Sequence, residues 1–119
     1  MVPPEPSPSA KTAPARLVEM SADVRAAVLL DPVGGLIAAS DEDGERARRL
    51  AGLAHELVLA ADAAADRPTE QIEAQVAGGA VFAVRSARYT LACVVRRLAL
   101  PALILYDLRQ TLLDVETAA

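Results

Sequence analysis

Residues 71–95, QIEAQVAGGAVFAVRSARYTLACVV, read as three consecutive antiparallel strands whose contact with water falls from first to last. In the first, Ile72, Ala74 and Val76 alternate with Gln71, Glu73 and Gln75, so one row of side chains is apolar and the other can meet solvent. By the third the alternation has faded. Tyr89, Leu91, Cys93 and Val95 share one face while Ala92 and Val94 lie on the other, as in a central strand covered on both sides. The Gln71 strand is therefore an edge, and an open edge offers its unpaired backbone groups to another chain.

Working outward, residues 24–30 are β-like, Asp31-Pro32-Val33-Gly34-Gly35 supplies turn chemistry, and residues 36–39 return as a short strand. Ser40 or Asp41 is placed to cap a long helix running to about residue 64. Asp41, Glu42, Asp43 and Glu45 put negative charge at its positive end. Leu50, Ala54, Leu57 and Ala61 make its buried stripe, widened by Leu53 and Ala60. Asp66-Arg67-Pro68 ends it before the meander, whose turns fall at Gly78-Gly79 and around Ser86 to Arg88. A short helix over residues 15–21 precedes the first strand. Pro101 opens a last helix to about residue 115, with Leu103, Ile104, Leu108, Leu112 and Val115 facing inward. The order helix, strand, strand, helix, three strands, helix describes an α+β layered domain. With strand one beside strand five, the sheet order is 2-1-5-4-3 and the Gln71 strand lies at an edge.

Composition narrows the function. A chain of 119 residues fits one domain and buries a core without disulfides or a structural metal. It is 53% hydrophobic, yet holds one Phe, two Tyr and no Trp, so the rings that stack on bases or sugars are scarce. A net charge of −4 argues against nucleic acid, whose binding rests on clustered Lys and Arg. Arg48-Arg49 and Arg96-Arg97 are the local exceptions. No apolar run reaches the roughly 18 residues that span a bilayer, so no membrane insertion is expected. The single cysteine, Cys93, sits in the most apolar strand as a structural thiol suited to a reducing cytosol. Residues 1–14 carry five of the eight prolines and read as a disordered tail.

Catalytic constellations are missing. There is no GxxxxGK[ST] loop for nucleotide phosphates, and the two glycine pairs sit where turns need them. His55 is the lone histidine, on a helix face that meets water, with no second donor for a metal. Ser40 and Ser86 lie beside turns, away from it. No catalytic, cofactor or metal residue is expected, and the chain does not read as an enzyme.

The stretch VRAAVLLDPVGGLIAAS, the helix and meander after it, and RRLALPALILYDLR together resemble the roadblock / dynein light chain family over about residues 16–115, the departures being the short link before the meander, the proline tail and a stretch from Gly79 to Val84 more apolar than an exposed hairpin needs. The resemblance implies a roadblock domain over residues 15–116, a profilin- and longin-like five-stranded antiparallel sheet with helices on both faces. It implies a cytoplasmic, non-enzymatic homodimer acting with a small Ras-like GTPase, as bacterial members of the family do. Carried onto this sequence, Gln71, Ile72, Glu73, Ala74, Gln75 and Val76 become the strand seam between two copies. Leu50, Leu53, Leu57 and Ala61 become the helix contact. Arg48, Arg49, His55 and Leu59, on the exposed part of the middle helix, become candidates for the GTPase-facing surface. The alternative is a small-ligand sensor of profilin-like fold, whose signature would be a cavity between the middle helix and the meander.

Overall fold

The computed structural model describes residues 7–96 and 99–117. Along the chain run α1 (Pro8–Met20), β1 (Val24–Leu30), β2 (Leu36–Ala39), α2 (Gly44–Ala65), β3 (Gln71–Val76), β4 (Gly79–Arg85), β5 (Thr90–Arg96) and α3 (Pro101–Thr117). The strands form one antiparallel sheet in the order β2-β1-β5-β4-β3. Tight turns force β3, β4 and β5 to be neighbours. The chain leaves β2 at one edge and re-enters through α2 at the other, which leaves β3 with a free outer side.

The two sheet faces are covered unequally. Alternate residues Ala27 and Leu29 of β1, Phe82 and Val84 of β4, and Leu91, Cys93 and Val95 of β5 point to one face, where they pack with Leu17 of α1 and Ile104, Leu108 and Val115 of α3. The intervening residues Val28, Leu30, Ala83 and Ala92 meet only α2, through Ala51 and Ala54. Cys93 lies at the centre of the thicker layer, and burial there pushes its thiol up to about 12. It is therefore a structural residue with no nucleophilic role near neutral pH.

Four local expectations change. The proline content predicts a tail through Pro14, but α1 begins at Pro8. Ser7 caps it, its hydroxyl accepting from the Ala10 amide at 3.1 Å, and Pro8 occupies the first turn, where no amide hydrogen is missed. Pro14 sits inside the helix and is buried with Ala10, Ala13 and Leu17, so packing outweighs the hydrogen bond that proline removes. Residues 1–6 lie outside the described residues, as does Arg97.

The second change concerns the cap of α2. Asp43, not Ser40 or Asp41, accepts from the amides of Glu45 and Arg46 at 2.9 and 3.3 Å, and those amides hold its carboxyl below the ordinary value. Ser40 instead ties β2 to β1 by accepting from the Ala27 amide.

Third, the face that α2 seats on the sheet is Ala47, Ala51, Ala54 and Val58. Of the expected stripe only Ala54 is fully buried; Leu50, Leu57 and Ala61 are half-buried, and Leu53 and Ala60 are exposed. Small side chains let the helix axis approach the sheet, and the leucines are displaced to its flank.

Fourth, Leu103 of α3 is 58% exposed, while Thr111 takes a buried position beside Ile104, Leu108, Leu112 and Val115. In the first meander turn the two glycines also divide their work. Gly78 takes the turn itself, with φ +81°, and Gly79 already belongs to β4, where an added Cβ would meet the Val95 carbonyl oxygen.

Candidate interaction surface

β3 is one residue row deep in solvent on one side and half-covered on the other. Its cross-strand neighbours on β4 are Phe82 opposite Glu73 and Val84 opposite Gln71. Those β4 residues lie under α3, which stops short of the sheet edge. Gln71, Glu73 and Gln75 are consequently exposed, and the Gln75 amide donates to Glu73 at 3.3 Å. Ile72, Ala74 and Val76 face the α2 layer and are half-buried. β3 thus presents a free backbone edge between a polar row and an apolar one.

A second apolar strip lies on α2, on the same face of the sheet as Ile72. At 100° per residue, Leu50, Leu53, Leu57 and Ala61 fall on a single flank of the helix, next to the buried alanines. That flank overhangs the sheet where Ala26 and Val94 are only half-buried. Leu50 and Leu53 form one wall of a groove whose floor is Ala26, Val28, Ala39 and Val94 and whose rim holds Asp41, Arg46 and Arg49. Its volume is about 280 Å³. The cavity expected of a ligand sensor was placed between α2 and the meander; this groove lies instead between α2 and β1–β2, with Val94 its one meander residue.

The four candidates for the GTPase-facing surface do not form one patch. Arg48, His55 and Leu59 share the opposite flank of α2. Arg49 points round toward the leucine side, where Glu45 holds its guanidinium at 2.9 Å. Nor does His55 simply face water. It is half-buried against the β1–β2 turn, so close that a Cβ on Gly34 would come within 2.6 Å of the imidazole. Gly34 has φ +91°, so its lack of a side chain serves both the turn and this contact. Asp31 fixes the turn by accepting from the amides of Val33 and Gly35 at 2.9 and 2.8 Å. No local pattern signals the His55 contact, because a turn and a helix 21 positions apart carry no shared periodicity.

The same flank ends at Asp62, which pairs with Arg85 of β4 at 2.7 Å and locks the end of α2 to the sheet. No cluster of three or more His, Cys, Asp and Glu side chains is placed to hold a metal among the described residues. Among them, no helix is long and apolar enough to cross a membrane.

An antiparallel 2-1-5-4-3 sheet with one helix across one face and two across the other defines an α+β domain of the roadblock and profilin type. The chain belongs to the Roadblock/LC7 domain family, whose model matches residues 15–96. A Roadblock/LC7 domain from Streptomyces avermitilis superposes with a TM-score of 0.81 at 20% identity, over 91% of this chain and 95% of that one. Myxococcus xanthus MglB is similar at 0.68 and 14% identity, over 93% and 87%. Acanthamoeba castellanii profilin IB reaches 0.59 at 14% identity, over 92% and 99%. No curated protein sequence matches the chain.

Proposed function

We propose that this domain, residues 15–116 with the helical turns from Pro8 attached, is a cytoplasmic, non-enzymatic homodimer that binds a small Ras-like GTPase and regulates or scaffolds it. The observation that carries the reading is the free β3 edge, together with a leucine flank of α2 left incompletely covered on the same sheet face. A second copy related by a twofold axis would add its β3 to the edge and set Leu53 and Leu57 against their own counterparts. Membership of the Roadblock/LC7 family supports this, and so does the likeness to MglB.

The opposite flank, with Arg48, His55 and Leu59, is left free by such a dimer and is the GTPase-facing candidate. Arg49, engaged with Glu45 on the other side, is not part of it. Any effect on hydrolysis would come from repositioning the GTPase's own switch elements. The test is GTP turnover by a small Ras-like GTPase captured with this chain from its native cell, measured with and without it. Arg48→Ala should remove the effect and Arg49→Ala should leave most of it. Equal loss in both, or none in either, would move the surface elsewhere.

The groove under Leu50 and Leu53 favours a second reading, a small-ligand sensor. At about 280 Å³ it falls just short of the usual range of ligand-pocket volumes. In the proposed dimer its leucine wall is also the contact face. A metabolite that raises the melting temperature while splitting the dimer would favour the sensor.

A further inference from the structure

The outer face of α3 carries an apolar seam that neither the core nor the surface described above uses. Leu103, Tyr106 and Leu113 are 58%, 60% and 54% exposed, on the side opposite the buried Ile104, Leu108 and Val115. With Gln110 and Thr117 they recur at alternating steps of three and four, as in the seam of a coiled coil. No charged residue falls within the seam over its length of about 21 Å. Charges begin at its borders, Asp107 and Asp114 on one side and Arg109 and Glu116 on the other.

This border pattern identifies the occupant. In two parallel helices, a residue on one border meets the residue five positions later on the facing border of the partner. Arg109 would therefore meet Asp114 of a second copy, twice by symmetry. Arg109 makes no ion pair among the described residues, and Asp114 has only the half-exposed Arg16 at 3.5 Å. An antiparallel pairing would instead set Asp107 against the other copy's Asp114, and would offer Arg109 only Glu116, which Ser86 and Arg88 already engage. A membrane surface is the poorer fit, because aspartates flank the stripe where lysines and arginines would be needed to meet anionic lipids.

We propose that the outer face of α3 is a seam for a second copy of this chain, the two helices lying side by side and parallel, with Tyr106 and Leu113 packed against their counterparts and Arg109 paired with the other copy's Asp114. The contact lies beyond the β3 and α2 surface and does not depend on it. Three large apolar side chains a side fall short of the roughly 800 Å² per partner of a standard interface, so the association is weak and concentration-dependent. Gln110 at the centre of the seam further weakens it and favours a single register.

Sedimentation velocity of the full chain across a hundredfold concentration range separates the two surfaces. The parent chain should pass from two copies to four. Tyr106→Glu should stop at two copies, and a Leu53→Asp/Leu57→Asp variant should pass from one copy to two. Gln110→Leu should tighten the α3 association by about tenfold, a gain that a misfolded variant cannot produce. Leu103→Cys under mild oxidation should form a disulfide-linked pair, since parallel helices place the two residue 103 positions side by side, and the fully buried Cys93 does not compete. A mass unchanged by Tyr106→Glu and Gln110→Leu at every concentration would overturn the seam whatever became of the α2 surface. Cross-linking only in a Leu103→Cys/Thr117→Cys variant would overturn the parallel arrangement. Co-sedimentation with phosphatidylserine vesicles, lost in Tyr106→Glu, would assign the face to lipid instead.

Discussion

Arg85 reaches from the end of β4 to Asp62 on the last turns of α2, its Nη1 standing 2.7 Å from one carboxylate oxygen and 2.8 Å from the other. The same carboxylate accepts from the hydroxyl and the amide of Thr69, so a helix end, a loop and a strand meet on one side chain. Thr69 first, and then Arg85, hold the Asp62 carboxyl down from 3.8 to about 2. Because the folded-state value is the lower one, the unfolded chain binds this proton first as the pH falls. The contribution is complete above a pH of about 4 and is lost between there and about 2. Thermal unfolding of the parent and Asp62→Asn, followed from neutral to strongly acidic pH, should give curves that are separate at neutrality and converge in acid. Parallel curves would exclude a role for the carboxylate's charge.

Two glycines of opposite circumstance give a second prediction. An added Cβ at Gly79 would run into the Val95 carbonyl oxygen, and backbone cannot swing aside as a side chain does. Gly79→Ala should cost about 2 to 3 kcal/mol, at the upper end of ordinary overpacking. Gly52, exposed on α2, has nothing within 4 Å. Gly52→Ala should stabilise by about 0.5 to 1 kcal/mol through helix propensity. Urea titrations of both variants check the pair, and a loss in each would mean that Gly52 has a neighbour outside the single chain.

Thr111 is 2% exposed, and its hydroxyl has no hydrogen-bond partner among the described residues. Valine has the same shape without the polar atom, so Thr111→Val should stabilise by about 1 kcal/mol. For a domain of this size that raises the melting temperature by about 4 to 8 °C. A fall in melting temperature would show that the hydroxyl is satisfied, by water or by a second chain.

Leu53 is 37% exposed and sits at the centre of the leucine flank. Leu53→Asp should leave the circular dichroism spectrum unchanged and shift light scattering at micromolar concentration from two copies to one. At concentrations too low for the α3 association, a monomeric parent chain, or a variant still dimeric, would each argue that this flank is not the contact.

The strands were legible almost to the residue. Val24–Leu30, Leu36–Ala39 and Gln71–Val76 are bounded by turn residues whose chemistry is local, and the period of two assigns faces without knowledge of the partner strand. The sheet order followed from chain connectivity and from which strand remained half polar. Helices were less transparent. On α2 the leucines attract a hydrophobicity-based reading, yet the sheet is approached through Ala47, Ala51 and Ala54. Which apolar residues lie nearest is decided by the separation of two layers, and one element does not encode it. On α3 the same logic assigned Leu103 to the core, although Thr111 fills that place. Pro8 and Pro14 suggested a tail because composition speaks before packing does. Ser7 and the small residues Ala10 and Ala13 were the local signals that pointed the other way.

The candidate surface divides along the same line. The edge character of β3 is visible in Gln71, Glu73 and Gln75, and the leucine flank is visible as a stripe, although the stripe alone does not tell flank from core. The separation of Arg49 from Arg48 is also legible, because the 100° step between them puts adjacent residues on different sides.

The contact between Gly34 and His55 bears on how the Arg48 flank would meet a partner. Helix and hairpin tip are wedged together there, with the turn fixed from below by Asp31. A partner landing on that flank would meet a preset contour and would not have to still a wandering loop first. Most of the ordering cost that weakens loop-built interfaces is thus already absorbed in folding. A bulkier residue at position 34 would alter recognition from beneath the surface, while leaving every side chain that the partner touches chemically the same.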